Sequence, residues 1–147
     1  MKVFLLFAAL LCPAALFAQG SGVNEGDLVR KAREAVRQAE VELIKARQKY
    51  AEGFPEEGEK AIAEMMRLIE QAFTRLKETK RDPRKKPAGF KDMEVKLRVY
   101  KRRLEDLKNS LPLDERAPID KAIARIAEIN DELLLGLMNT KHPRKAK

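Results

Sequence analysis

Four stretches of this chain place an apolar residue alternately every three and every four positions, and that rhythm demands helices that pack along their length. The first runs Val29, Ala32, Val36, Ala39, Leu43, Ala46, Tyr50. The second runs Ile62, Met65, Ile69, Ala72, Leu76, widened by Met66, Leu68 and Phe73. The third is Phe90, Met93, Leu97, Tyr100, Leu104, Leu107, Leu111. The fourth is Ile119, Ala122, Ile126, Ile129, Leu133, Leu137, with Leu134, Leu135 and Met138 making its end strongly apolar. The alternation is the heptad rule, which keeps one helix face apolar for as long as it lasts. In the first stretch one seam position is Val, Val, Leu, Tyr and the other is always Ala, which lets a neighbouring helix approach closely.

The breaks between these stretches are equally legible. Asn24 or Asp27 can cap the first helix. Gly53 suits its C-terminus, with Phe54 folding back on the last turn. Pro55-Glu56-Glu57 opens the second helix, a proline and two carboxylates at the positive end of the dipole. Asp82 to Gly89 holds two prolines and a glycine and cannot continue a helix. Pro112 closes the third helix, and Ser110 or Asp114 is positioned to start the fourth. On the third helix, Asp92 with Lys96 and Glu94 with Arg98 are spaced for exposed ion pairs. Gly136, inside the fourth helix, suggests close packing against another helix. Short connections imply antiparallel neighbours. The expected fold is all-α: an up-down-up-down four-helix bundle, or two long helical hairpins that splay or dimerise. The helices are too long for a tetratricopeptide unit.

Upstream of the bundle, Lys2 is followed by an apolar run from Val3 to Leu11 and by small residues to Ala18. This is the plan of a secretory signal peptide over residues 1–20, itself helical, cut after Ala18 or Gly20. The run is shorter than the roughly 20 apolar residues of a membrane span. Residues 21–26 read as a flexible lead, 27–138 as a single helical domain, and 139–147 as a basic, disordered tail. Cleavage removes Cys12, the only cysteine, so the exported chain has no disulfide and no thiolate ligand. A cysteine-free secreted domain must rely on its core, which points to a bacterial periplasmic or secreted protein.

The net charge of +8 is unevenly spread. In an up-down bundle the connection between the second and third helices shares a pole with both termini. Lys80, Arg81, Arg84, Lys85, Lys86 and Lys91 lie there against the single acid Asp82, joined by Lys141, Arg144, Lys145 and Lys147 of the tail. The opposite pole carries Glu52, Glu56, Glu57, Glu59, Asp114 and Glu115. A cationic pole steers association with anionic partners. The residues expected to meet one are Arg81, Arg84, Lys85, Lys86 and Lys91, extended along the third helix by Lys101, Arg102 and Arg103. Outside the cytoplasm the partner is an anionic envelope component or an acidic protein. Nucleic acid is disfavoured by export and by an aromatic content of 5%.

Residues for chemistry are scarce. His142, the only histidine, precedes Pro143 in the tail and lacks the fixed surroundings that a ligand ring requires. No Gly-rich phosphate loop, zinc spacing or calcium loop is present. No cofactor, metal site or catalytic set is expected. The chain therefore reads as an exported, non-enzymatic helical interaction module. The alternatives are a periplasmic chaperone or stress protein, whose hairpins hold unfolded chains, and an oligomeric coiled coil whose seams face other copies.

Overall fold

The computed structural model describes residues 24–138. The expected signal peptide, the first half of the lead and the basic tail lie outside the described residues. The described chain is an all-helical bundle: α1 (Glu25–Ala51), α2 (Pro55–Glu78), α3 (Phe90–Ser110) and α4 (Ala117–Met138), with a 3-10 turn over Leu113–Glu115 before α4. Its core is built from the four seams, with Leu43, Met65, Ile69, Leu97, Tyr100, Leu104, Ile126 and Ile129 wholly sequestered.

Helix α1 starts at Glu25, two residues before the expected start of the helical domain at 27. The Asn24 side chain accepts the Gly26 N–H at 3.0 Å, so Asn24 is the cap and Asp27 falls in the first turn. At the other end Gly53 adopts φ +80°, and the Phe54 N–H donates back to the Lys49 carbonyl at 2.9 Å. This six-to-one closure satisfies a carbonyl the helix would otherwise leave bare. The Tyr50 ring then lies on Gly58 of α2: a Cβ there would stand 2.6 Å from the ring. Helix α4 begins at Ala117, after Ser110 has turned its hydroxyl back onto the Leu107 carbonyl and the 3-10 turn has intervened.

The arrangement of the helices departs from the simple expectation of antiparallel neighbours throughout. Two antiparallel hairpins, α1 with α2 and α3 with α4, carry the most extensive packing. Between hairpins, α1 lies beside α3 and α2 beside α4. Both of these pairs are parallel. Arg33 meets Asp92, and further along Glu40 meets Lys96 and Arg103. On the other side Glu70 meets Arg125 and Glu132 meets Lys77. Residue numbers rise together across both seams, so the helices run the same way. Helices α2 and α3, consecutive in sequence, consequently sit on a diagonal. With helix axes about 8–10 Å apart along the sides, residues 79–89 must cross the end of the bundle, which is why this connection is the longest.

That crossing is well ordered. Thr79 donates its hydroxyl to the Leu76 carbonyl at 2.6 Å, and Lys80 takes a left-handed conformation, φ +52°. The Asp82 side chain accepts the Arg84 N–H while its carbonyl accepts Lys85 and Lys86, a turn with Pro83 in its second position. Gly89 closes it at φ +88°, where a Cβ would lie 2.9 Å from Leu76 and 3.0 Å from Val29. Pro83 packs over Gly136 of α4, 3.4 Å from where a Cβ would stand. The glycine in the last helix thus lies under this connection and not, as expected, against another helix.

Candidate functional site

The basic connection and the solvent face of α3 together form the candidate surface. At neutral pH a cation is available to a partner only if no carboxylate of its own chain already holds it. The eight residues singled out from sequence divide on this criterion.

Arg81 is the most committed. Its guanidinium meets Glu25 at 2.8 Å and its side chain is only 16% exposed, so it pins the connection to the start of α1. Lys86 reaches the same carboxylate at 3.8 Å. The Arg81 hydrogen bond, helped by the Lys86 charge, holds Glu25 below the ordinary carboxylate range. Arg84 lies against Asp82 at 3.4 Å; Asp82 is held low chiefly by the Arg84 backbone N–H and then by its guanidinium. Arg103 is turned inward to Glu40 at 2.9 Å, where Lys96 arrives at the same distance. The Lys96 contact, then that of Arg103, depresses the Glu40 carboxyl.

The other four, Lys85, Lys91, Lys101 and Arg102, make no ion pair among the described residues. Lys85, Lys91 and Arg102 are exposed and Lys101 is half-buried. Lys80, beside them in sequence, is likewise exposed and unpaired. Elsewhere in the described chain, Arg47, Lys60 and Lys121 share that condition but are scattered over different helices. On α3, Lys91, Arg98 and Arg102 recur at intervals of seven and four and so share one face. Arg98 was not among the expected site residues. It covers the buried carboxylate of Glu94 at 2.8 Å while its own side chain stays 64% exposed. That burial is the signal the sequence spacing lacked, because i,i+4 pairing alone reads as an exposed pair. The companion pair expected between Asp92 and Lys96 is replaced. Asp92 accepts from Arg33 at 2.6 Å and from the Gly89 N–H, and Lys96 turns to Glu40. Neighbouring α1 offers each a partner across the seam.

The far pole is acidic and partly neutralised: Lys49 bridges Glu52 and Glu57, and its ammonium stands 5.3 Å from the centre of the Phe54 ring. Burial pushes the Tyr50 hydroxyl up, and Glu59 near the start of α2 and Glu115 of the 3-10 turn act on it in the same direction, so the start of α2 and the connection before α4 lie at one end.

Between α1 and α3 lies a groove of about 530 Å³, floored by Leu76 and Met93 and walled by Ala32, Val36 and Val95. No group of three metal-ligating side chains occurs among the described residues. No helix there is long and apolar enough to cross a membrane. Compared with known protein families, curated proteins and solved structures, the chain matches none.

Proposed function

We propose that the protein is an exported, non-enzymatic interaction module that docks on an anionic component of the cell envelope through its basic connection and the outer face of α3. The observation that carries this reading is the clustering of unpaired cations: Lys80, Lys85, Lys91, Lys101 and Arg102 fall within one connection and one helix, while the neighbouring Arg81, Arg84, Lys86 and Arg103 are spent on internal ion pairs. The paired residues hold the surface in shape and the unpaired ones supply its charge. An ordered crossing fixed by Pro83, Asp82 and Gly89 supports this division, since a partner then meets a preformed surface and less entropy is lost on docking.

The test is sedimentation with vesicles of phosphatidylglycerol and phosphatidylcholine at low salt, with wall polymer as a second anionic target. A quadruple variant, K85E/K91E/K101E/R102E, is expected to lose binding. A control carrying R47E/K60E/K121E, reversing unpaired cations elsewhere, is expected to keep most of it. Binding should weaken as salt rises above about 0.1 M, where the screening length is near 10 Å. Failure of the wild-type protein to bind either anionic target at low salt would sink the reading.

A further inference from the structure

The groove between α1 and α3 meets the basic surface at one end, at Gly89 and Lys91, and it has a polarity of its own. Its floor and walls are apolar, and it is crossed by ion pairs from α1 to α3: Arg33 to Asp92 at 2.6 Å and Glu40 to Lys96 at 2.9 Å. The apolar surface does not stop where the groove shallows. Arg37 lines the groove, and Val41 and Ile44, four and seven residues on, share its face of α1. Val95 lines the opposite wall, and Val99, four residues on, shares its face of α3. These four side chains are 40–59% exposed. The two helices run parallel and in register, Arg33 level with Asp92 and Glu40 level with Lys96 and Arg103. The two apolar faces therefore flank one strip, which runs from Ala32 to the level of Ile44, about 18 Å at 1.5 Å per residue.

At its polar end, one turn before Val95, stands Lys91, which lines the groove, is exposed and has no ion pair among the described residues. The site thus offers one free cation followed by a narrow apolar track. A ligand complementary to both has one anionic head and one hydrocarbon chain. The volume lies within the roughly 300–1,000 Å³ of small-molecule sites, which are mostly apolar with a few placed polar groups. A partner helix, about 10–12 Å across with its side chains, is too wide to enter between helices tied by ion pairs of 2.6–2.9 Å. We infer that the α1–α3 groove binds a long-chain fatty acid, with its carboxylate at Lys91 and its chain along Val36, Val95, Val99 and Ile44.

The experiment titrates the full chain with the fluorescent fatty acid 11-(dansylamino)undecanoate and displaces it with unlabelled saturated fatty acids below their aggregation concentrations. Displacement should strengthen roughly two- to fourfold per added methylene between octanoate and myristate. The double variant V95N/V99N changes only exposed positions; with an unchanged melting temperature it should lose at least tenfold in affinity. K91E should weaken myristate about tenfold and leave methyl myristate unaffected. K85E, on the basic surface but outside the groove, should leave both unchanged, which separates this site from the docking surface proposed above. Affinity independent of chain length, or indifferent to V95N/V99N, would overturn the inference.

Discussion

Helix α1 makes two seams of opposite character. Toward α2 it is lined by Ala35, Ala39 and Ala46, which share a face and are almost fully buried. Toward α3 it presents Arg33, Val36 and Glu40, and the contact consists of ion pairs, one tyrosine hydrogen bond and an open groove. Small side chains let two backbones close on each other and leave nothing to adjust. Long charged side chains span a wider gap and leave space beneath them. One helix therefore carries both the rigid part of the molecule and its most accommodating part.

The largest effect should come from overfilling the tight seam. Ala39→Leu adds three carbons where exposure is zero, so a loss of about 1–3 kcal/mol or more is expected, read as a lower urea midpoint. A one-carbon enlargement on the open seam, Val95→Leu, should change stability by less than about 0.5 kcal/mol. If both variants lose equally, the contrast is wrong. Gly89→Ala comes next, because it forces an alanine to φ +88° against Leu76 and Val29. A cost of about 1–3 kcal/mol is expected, with the loss of hydrogen-exchange protection starting at the N-terminal end of α3.

Smaller effects probe the open seam itself. The Tyr100 hydroxyl, wholly buried, donates to the Val36 carbonyl at 2.8 Å, and burial pushes its ionisation well above the ordinary range. Tyr100→Phe should cost about 1 kcal/mol and loosen α3 from α1 without disturbing the α1–α2 hairpin. Glu40 gives the pH dependence. Its carboxyl is held low in the folded chain by Lys96 and Arg103, so it adds stability above its unfolded value, and that contribution disappears as pH falls through the depressed folded value. These groups are partly solvated, so the effect should stay below about 1 kcal/mol. It is read as a smaller drop in urea midpoint between pH 7 and pH 3 for Glu40→Gln than for the wild type.

Much of the core was legible. The heptad stripes of α1, α2 and α3 named side chains that are buried, with Met66, expected to widen the α2 stripe, only half-buried, because a three-four spacing leaves an apolar face nowhere else to go. On α4 the stripe holds through Leu133, while Leu135 and Met138 in the last turns are strongly exposed. The candidate surface was legible only in part. Its charge could be counted along the chain, but which cation is spent depends on carboxylates far away in sequence. Glu25 takes Arg81 and Glu40 takes Arg103, 56 and 63 positions away. The groove left no trace in the sequence, since Val95 and Val99 are ordinary exposed valines until α1 is placed beside them.

The sequence alone therefore determined the number of helices, their approximate ends and the face each one buries. These depend on local capping, on proline and glycine, and on the period of apolar residues. Only the tertiary structure decided that α1 and α3 run parallel side by side with α2 and α3 on a diagonal. Heptad stripes state that a face must be covered without stating by which neighbour, and an eleven-residue crossing from 79 to 89 is long enough to permit either order. The pairing across the bundle, the cations left unpaired and the groove all follow from that choice.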